Sequence, residues 1–444
     1  MATRVGLLSL GCPKNQVNAE RMLAALQEAG MELTENIYAD GADAVIVNTC
    51  GFIDDAKREA VECILEMAEL KEEGLVRRIL VTGCLAESYR EQIKREIPEV
   101  DAVLGLGANE DIAHYVFEAL AGEQKETWPE LGCLPLGGPR RLLSPAHWAY
   151  LMLADGCDNR CAYCKIPDIR GPFRSRPEED ILEEARQLAG RGVKELVLIA
   201  QDTTRYGLDL YGARTLPGLL RKLCRIDGIA WLRLLYCYPD EVTDELIQVM
   251  AEEPNIVKYI DLPLQHIDDR ILRAMGRRGT QAQIRELLQK LRGQIPGIAI
   301  RTTFLVGFPG EDEQAFEALS AFVEEQRFER MGVFAFSPQE GTPAYGMPGQ
   351  VDPEVASRRA EILNQQQAEI ADRLKAEAVG GVLPAIIEDY DGYTDSYMGR
   401  TALDAPEIDG GIILISPRDL ENGDIVNVRV AGVREDDLLG RVLP

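Results

Sequence analysis

The chain has 444 residues, of which 46% are hydrophobic and 27% charged, a globular composition that excludes intrinsic disorder and fibrous repeats and suggests several domains. Its 74 acidic residues outnumber its 48 basic residues, which gives a net charge of −26. Nucleic acid is therefore a poor default partner unless basic residues cluster locally, whereas a basic protein partner is favoured. Net acidity also serves solubility, so the charge alone does not decide between these roles.

The first 120 residues alternate short apolar runs with helical periodicity. Strands are predicted at 5–10, 44–47 and 78–81, and helices at 19–29, 55–70 and 86–96. This repetition predicts a doubly wound parallel α/β domain over residues 1–120. Four prolines and several glycines then predict a linker at 121–145.

The alternation resumes in residues 146–375. Six strands are predicted, at 149–154, 195–200, 231–235, 259–262, 299–305 and 332–336. Helical patterns such as those at 178–189, 244–252 and 282–291 separate them. Six strand–helix units are too few for a complete eight-stranded barrel, so we predict an open, partial (βα)6 barrel. The spacing of Leu363, Ile370 and Leu374 predicts a helix that follows it.

The last segment, 376–444, has a different pattern. Short strands are predicted at 382–387, 412–415, 425–430 and 438–442, separated by turns rich in glycine and aspartate. This pattern is typical of a small antiparallel β-barrel. The segment holds 14 acidic residues, five arginines and no lysine, which gives it a net charge of −9.

The ten cysteines are expected to be reduced thiols of a cytoplasmic protein. The N-terminus lacks the pattern of a signal peptide, and no apolar run approaches the ~18 residues of a membrane span. In that compartment, clustered cysteines suggest metal binding before disulfides.

The central cysteine motif has the spacing C-x3-C-x2-C and consists of Cys157, Cys161 and Cys164, directly after the first strand of the second α/β region. Three thiolates this close can hold three irons of a [4Fe–4S] cluster and leave the fourth iron open, as catalytic metal sites do. A zinc knuckle would need a fourth nearby ligand, and His147 and Cys133 are misplaced for that role.

Three further cysteines, Cys12, Cys50 and Cys84, each follow a predicted strand of the N-terminal domain. The carboxyl ends of parallel strands share one sheet edge, so these thiols are expected to form a second three-cysteine cluster site. The alternative is that they are ordinary buried cysteines. The remaining cysteines lack this placement and are expected to be core or incidental thiols: Cys63, Cys133, Cys224 and Cys237.

The central motif, with the aromatic Tyr163 before its last cysteine, resembles the radical S-adenosylmethionine (SAM) superfamily. With the N-terminal cysteines, the whole chain resembles the methylthiotransferases, supported by the motifs at 9–15 (SLGCPKN), 48–53 (NTCGFI) and 170–176 (RGPFRSR). The resemblance implies a TRAM domain at the C-terminus and two [4Fe–4S] clusters. It also implies that the cluster of Cys157, Cys161 and Cys164 cleaves SAM to a radical, and that the cluster of Cys12, Cys50 and Cys84 carries the added sulfur.

Within that family, the motif at 11–15 (GCPKN) looks like the branch that modifies a ribosomal protein, as do those at 50–53 and 201–207. The transfer-RNA branch usually has Gln after the first cysteine. One departure is the Asn18-Ala19-Glu20 segment, where the family more often has Asp-Ser-Glu. The resemblance implies a methylthio group added to the β-carbon of an aspartate in protein twelve of the small ribosomal subunit, with two SAM molecules and an electron donor.

Two other functions stay open at this point: modification of an adenosine in transfer RNA, and an iron–sulfur scaffold without chemistry. The −9 charge of the last segment favours a basic protein substrate over RNA, with nucleic-acid contact at most indirect through the ribosome.

The candidate SAM contacts are Tyr163 in the cysteine motif and residues at or after predicted strand ends: Gln201, Tyr236, Gln265, Val306, Gly307 and Phe308. Tyr163 is expected to approach the adenine, and each of the others has a turn or core role as its alternative. A basic patch of Arg170, Arg174 and Arg176 is expected to be either a solvated loop or a contact for the substrate carboxylate. His266 is expected to be a core residue without a catalytic role.

Overall fold

In the computed structural model, the chain is described for residues 2–51, 54–123, 127–131, 136–435 and 437–444. It divides into two compact units. The first contains residues up to 143 together with 154–158 and 164–176, and the second contains 144–153, 159–163 and 177–444.

The N-terminal part of the first unit is a five-stranded parallel sheet in the order β2-β1-β3-β4-β5. Its strands are β1 (Arg4–Ser9), β2 (Glu32–Thr34), β3 (Ala44–Thr49), β4 (Ile79–Gly83) and β5 (Ala102–Val103). Its helices are α1 (Pro13–Glu28), α2 (Ile37–Asp40), α3 (Asp54–Glu72), α4 (Cys84–Glu96) and α5 (Ile112–Ala121).

Alternating side chains of β3 build a separate core on each face of this sheet. Val45 and Val47 pack in a cluster with residues of α3 and α4, whereas Ala44 and Ile46 pack with residues of α1 and α5. All four are fully buried, as expected of a strand with helices on both sides. The predicted doubly wound domain is therefore confirmed. The sequence pattern missed β2 and β5, which have only three and two residues.

The central region adds strands β6 (Trp148–Met152), β7 (Ala154–Asp155), β8 (Arg174–Ser175), β9 (Glu195–Ile199), β10 (Trp231–Leu234), β11 (Ile256–Asp261), β12 (Ala299–Val306) and β13 (Arg330–Ala335). Its helices are α6 (Ile166–Arg170), α7 (Glu178–Gly190), α8 (Leu208–Tyr211), α9 (Leu216–Leu223), α10 (Asp244–Glu252), α11 (Asp269–Ala274), α12 (Gln281–Gln294) and α13 (Glu313–Gln326).

Six of these strands form one parallel sheet in the order β6-β9-β10-β11-β12-β13. The prediction of an open (βα)6 arrangement is confirmed, because each neighbour in the sheet is the next of these strands along the chain. The short β7 and β8 instead pair antiparallel with each other and belong to the first unit.

A long helix, α14 (Pro353–Ala378), leads to a closed five-stranded barrel in the order β14-β15-β16-β18-β17. The strands are β14 (Val382–Asp391), β15 (Ser396–Thr401), β16 (Ile412–Ile415), β17 (Ile425–Arg434) and β18 (Asp437–Val442). The small barrel is confirmed, with two differences from the sequence pattern. The strand β15 was missed, because Ser396–Thr401 has no clear alternation of apolar residues, and β16 runs parallel to β18.

Within the second unit, a buried ion network joins the C-terminal barrel to the parallel sheet. Glu195, at the start of β9, accepts from Nε of Arg233 on β10 at 2.8 Å and pairs with Arg400 on β15. Arg233 Nη1 also donates to the carbonyl of Ala402 at 3.1 Å. A second link is the 2.7 Å hydrogen bond from the Tyr259 hydroxyl on β11 to Asp409.

Replacing Glu195 with glutamine is expected to destabilise the protein by about 3–5 kcal/mol at neutral pH, because it leaves two buried arginines without their shared carboxylate. The free energy of unfolding, measured in urea, checks this value. The matched control is Glu245→Gln, which removes an exposed pair with Arg221 and is expected to cost no more than ~1 kcal/mol.

The effect of Glu195→Gln is also expected to depend on pH. Burial disfavours the Glu195 carboxylate, but Arg400 and Arg233 outweigh burial and lower the pKa of the group below its ordinary 4.5. The contribution of the ionised carboxylate is therefore complete above pH 4.5 and is lost as the pH falls through the lower, folded-state pKa. The stability difference between wild type and variant should shrink over that acid range, and a constant difference would contradict the assignment.

None of the helices in the described residues is both long and apolar enough to span a bilayer.

Candidate functional site

The three N-terminal cysteines lie at the carboxyl ends of three neighbouring strands. Cys12 precedes α1 and follows β1, Cys50 directly follows β3, and Cys84 is the first residue of α4 after β4. Cys84 is close enough to the other two for their charges to act on its thiol. Cys50 and Cys84 are 8% and 5% exposed, and Cys12 is partly buried. The structure thus brings together the thiols that the sequence placed at one sheet edge, while their role as ligands stays a prediction.

Two glycines let these loops approach one another. Gly11 has φ +93°, and a Cβ there would lie 2.5 Å from Cβ and 2.8 Å from Sγ of Cys50. A Cβ on Gly51 would lie 2.9 Å from the backbone of Leu85 and 3.1 Å from the carbonyl carbon of Cys84. Any larger residue at either position would push two cysteine-bearing loops apart.

Two buried asparagines, to which the sequence analysis gave no role, hold the strand ends in register. Nδ2 of Asn15 donates to the carbonyls of Leu10, Asn48 and Thr49, at 2.7, 3.2 and 3.2 Å. Asn48 returns a 2.9 Å bond to the carbonyl of Asn15. The signal in the sequence was present: Asn48 and Asn15 lie two and three residues from the cysteines at the ends of apolar strands.

Arg170, the last residue of α6, acts on the thiols of Cys12 and Cys84. Its Nη2 lies 3.7 Å from Sγ of Cys84. Burial raises the pKa of Cys84 to about 11, against the opposing influence of Arg170. Burial also disfavours the Cys12 thiolate, but Lys14 and Arg170 outweigh it and lower the pKa of Cys12.

The donor set fits a [4Fe–4S] cluster by its chemistry. Within the described residues, no three Cys, His, Asp or Glu side chains are arranged to hold a single metal ion. A cluster makes a different demand, because each cysteine binds a different iron. Three thiols at one sheet edge, beside a buried cation that favours anionic sulfur, meet that demand.

The loop with the central cysteine motif is divided between the two units. In the first unit, the backbone N–H of Cys157 donates to the carbonyl of Gly171 at 3.1 Å, and Sγ of Cys164 accepts from the backbone of Ile166 at 3.5 Å. The backbone of Phe173 donates to Oδ1 of Asp158 at 3.2 Å. The segment 170–173 thus holds the loop that begins the motif.

In the second unit, Cys161 is nearly buried beside two side chains that sequence reasoning missed. Its Sγ lies 3.8 Å from the hydroxyl of Tyr238. The guanidinium of Arg277 stacks over the Tyr238 ring at 3.8 Å from the centroid and is held by the carbonyl of Pro263 at 2.6 Å. A phenol and a stacked cation therefore form the polar surroundings of this thiol.

The segment after β9 anchors the same loop. Asp202, fully buried, accepts from Nδ2 of Asn159 at 2.8 Å and from the Thr204 hydroxyl at 2.5 Å. Thr204 in turn accepts from the backbone of Tyr238 at 3.1 Å. Burial raises the pKa of the Asp202 carboxyl. Gln201, the predicted SAM contact, directly precedes Asp202 and is partly exposed at the end of β9.

Two other predicted SAM contacts have strained backbones in the loops that follow strands. Tyr236 follows β10 with φ +61°, and Gln265 follows β11 with φ +71°. Non-glycine residues in this region cost about 1–3 kcal/mol and cluster at functional sites. Asp261 supports the first of them by accepting from the backbone of Tyr236 at 2.9 Å. The strain favours a functional role for both residues, and their contact with SAM stays a prediction.

The remaining predicted contacts are explained largely by packing. Val306 and Phe308 are fully buried, and Phe308 meets the Tyr163 ring edge-on at 6.5 Å. A Cβ on Gly307 would lie 2.2 Å from Cβ of Ala356, so close packing against α14 requires glycine there. These observations support the alternative of a core turn, and a SAM contact at 306–308 stays a prediction.

Two further expectations concern side chains outside the cysteine sets: the core role of His266 and the basic patch of Arg170, Arg174 and Arg176. His266 is fully buried, with Nδ1 accepting from the backbone of Asp268 at 3.0 Å and Nε2 lying 3.3 Å from Glu311, as expected for a core histidine. Arg170 and Arg176 are buried, so they are not part of a solvated loop.

Burial raises the pKa of the described leftover cysteines, as expected for inert thiols: Cys63 and Cys224 to about 11, and Cys237 well above its ordinary value. Cys133 lies outside the described residues.

Three family descriptions match successive parts of the chain. "Uncharacterized protein family UPF0004" matches residues 4–105, "Radical SAM superfamily" matches 151–323, and "TRAM domain" matches 379–443. The radical SAM family implies a [4Fe–4S] cluster and SAM as cofactors.

Solved structures with a similar fold are radical SAM proteins of low sequence identity. The methyltransferase TsrM from Kitasatospora setae, solved with its tryptophan substrate and a SAM analogue, aligns at a TM-score of 0.57 and 15% identity, over 78% of this chain and 75% of that chain. The cobalamin-dependent enzyme OxsB aligns at 0.53 and 14%, over 84% of this chain and 56% of that chain. These likenesses concern the fold alone.

Several relatives that match over nearly their full length share one name. The ribosomal protein uS12 methylthiotransferase RimO of Desulforamulus reducens is 49% identical over 441 residues, which cover 99% of each chain. The protein of that name from Desulforudis audaxviator is 45% identical, over 100% of this chain and 97% of the relative. By this full-length identity, the chain belongs to the ribosomal protein uS12 methylthiotransferase family of the radical SAM superfamily.

Proposed function

We propose that this protein is a methylthiotransferase that modifies ribosomal protein uS12, replacing a hydrogen on the β-carbon of an aspartate with a methylthio group. The observation that carries the proposal is the full-length identity of 45–49% to relatives of that name, in a chain that has two separate sets of three cysteines. The reaction uses two SAM molecules and an inserted sulfur, and it requires an electron donor. The protein acts in the cytoplasm, where its ribosomal substrate is found.

The two cysteine sets have different tasks in this proposal. Bound clusters supply one-electron cleavage of SAM at one site and a carrier for the added sulfur at the other. Cys157, Cys161 and Cys164 hold the first, and Cys12, Cys50 and Cys84 hold the second. We assign the sulfur-carrying site of Cys12, Cys50 and Cys84 to a domain at 1–120. The SAM-cleaving site belongs to a domain at 146–375, which follows the linker 121–145. Substrate docking is assigned to the barrel at 376–444.

The protein's own side chains prepare each site. Asn15 and Asn48 fix the strand ends that carry the second set, and Asp202 fixes the loop between Cys157 and Cys161 through Asn159. The strained residues Tyr236 and Gln265, in the loops after β10 and β11, are the side chains we expect to orient SAM, because active sites of this architecture lie at the carboxyl ends of the strands.

Charge supports a protein substrate over transfer RNA. The C-terminal barrel carries a net charge of −9, which opposes binding to phosphates and suits a basic protein. The hairpin between β14 and β15 adds a fully exposed aromatic, Tyr393, flanked by the half-buried Asp391 and the exposed Asp395. An acidic, aromatic surface of this kind is suited to lysine and arginine side chains.

The proposal is tested by mass spectrometry of uS12 and of transfer-RNA nucleosides from a strain that lacks the gene. We expect the methylthio mass to disappear from the protein and to stay on the nucleosides, with restoration by the plasmid-borne gene. Loss from the nucleosides with an unchanged uS12 would favour the transfer-RNA alternative instead.

A further inference from the structure

Arg170 is a fully buried cation between the two cysteine-bearing segments of the first unit. It ends α6, the short helix that follows Cys164, and its side chain is 1% exposed. Nη1 lies 3.2 Å from both carboxylate oxygens of Asp155, and Nη2 lies 3.7 Å from Sγ of Cys84. The guanidinium therefore joins a carboxylate on one segment to a thiol on the other.

The carboxylate partner belongs to the loop that begins the central motif. Asp155 is two residues before Cys157, is itself 3% exposed, and caps the backbone of Gly156 at 2.9 Å. The pairing of β7 with β8 and the bond from Cys157 to Gly171 hold this loop against the segment that follows Arg170. The position of the guanidinium is therefore fixed from the loop side as well as from α6.

This arrangement argues against the contact with a substrate carboxylate that the sequence left open as one alternative for Arg170. A carboxylate is already bound by Nη1, and a buried guanidinium does not reach a carboxylate presented by another protein. What Nη2 faces instead is sulfur, at a normal distance for a weak N–H···S hydrogen bond.

A buried positive charge beside thiolate sulfur changes the relative stability of the oxidised and reduced states of a cluster that the thiolates bind. A cluster with three thiolates is anionic, and reduction makes it more negative by one charge. In a low-dielectric site, a fixed cation and an N–H···S bond both stabilise the more negative state, and such interactions are among the factors that set cluster potentials.

We infer that Arg170 is a positioning residue that raises the reduction potential of the cluster held by Cys12, Cys50 and Cys84, and that Asp155 moderates this effect by neutralising part of its charge. The inference rests on the second cluster of the proposed function. Through Asp155 and Arg170, the loop that bears Cys157 is thus connected to the sulfur-carrying site.

The test isolates the second cluster by replacing Cys157, Cys161 and Cys164 with alanine in the full chain. This parent is loaded anaerobically with iron and sulfide, and its one-electron midpoint potential is measured by titration followed by electron paramagnetic resonance. Three variants are compared in the same background: Arg170→Met, Asp155→Asn, and Arg58→Met as the matched control, since Arg58 is an exposed arginine of α3 in the same unit.

The two substitutions are expected to shift the potential in opposite directions. Arg170→Met removes the cation, so the ratio of reduced to oxidised cluster at the parent's midpoint should fall about tenfold, or ~59 mV for a one-electron couple. Asp155→Asn leaves the cation uncompensated, so the potential should rise. Arg58→Met should leave it unchanged. Asp155→Asn is nearly isosteric, so it tests the sign even where Arg170→Met does not fold.

Two results overturn the inference and are distinguishable. A parent that binds no iron would remove the second cluster itself, and with it this part of the proposed function. A parent that holds a cluster whose potential is the same in the Arg170 and Asp155 variants would overturn only the role of Arg170.

Discussion

Replacing Cys157, Cys161 and Cys164 together with alanine is expected to reduce the formation of 5′-deoxyadenosine from SAM to the level seen without enzyme. In the proposed function these three thiolates attach the SAM-cleaving cluster to the chain, and side chains such as Tyr238 and Arg277 surround Cys161 without replacing it. The measurement is anaerobic incubation of the loaded protein with SAM and dithionite, followed by chromatography of the nucleoside products.

The matched control for this loss is Cys224→Ala. Cys224 lies in the same unit as Cys161, and burial raises the pKa of its thiol, as expected of an inert residue. Cleavage of SAM should continue at close to the wild-type rate in this control. Persistent cleavage in the triple variant would mean that another site binds the radical-generating cluster.

The triple replacement of Cys12, Cys50 and Cys84 with alanine is expected to separate the two halves of the reaction. The variant should keep about half of the iron and continue to cleave SAM, because the central motif is intact, but it should transfer no methylthio group. Iron content per chain, nucleoside products and the mass of the substrate protein are measured on the same preparation.

Two outcomes would contradict this prediction. Complete loss of iron in the variant with Cys12, Cys50 and Cys84 replaced would argue against two independent sites. Full methylthio transfer by that variant would show that these thiols are ordinary buried core cysteines without a ligand role.

Most of the architecture was predictable from sequence because buried parallel strands leave a strong local signal. The β3 segment is apolar over Ala44–Val47 and fully buried on both faces, so both its existence and its class could be predicted. Short or polar strands have no such signal. The two residues of β5 and the SYMGRT sequence of β15 become strands only because neighbouring strands supply hydrogen-bond partners.

The grouping of Cys12, Cys50 and Cys84 at one sheet edge was predictable for a related reason. Once β1, β3 and β4 are recognised as parallel neighbours, residues that follow them must lie at one sheet edge, however far apart they are in sequence. The same rule predicted Tyr236 and Gln265 at strand ends, although their positive φ values depend on tertiary contacts such as that of Asp261 with Tyr236.

The charged partners of the thiols were not predictable. Arg170 stands in a sequence with two other arginines, a pattern that suggests a solvated or substrate-facing patch. Only the fold shows that Asp155 and Cys84 enclose it. Likewise, nothing local in the sequence indicates that Arg277 stacks on Tyr238 beside Cys161, since these residues are far apart along the chain.

The most direct test of the proposed function is a single anaerobic reaction with two substrates. The reconstituted protein is incubated with SAM, a reductant, purified uS12 and transfer RNA together, and both substrates are then analysed by mass spectrometry. We predict one methylthio group on an aspartate of uS12 and none on the nucleosides. Methylthiolated nucleosides with unmodified uS12 would contradict the proposal.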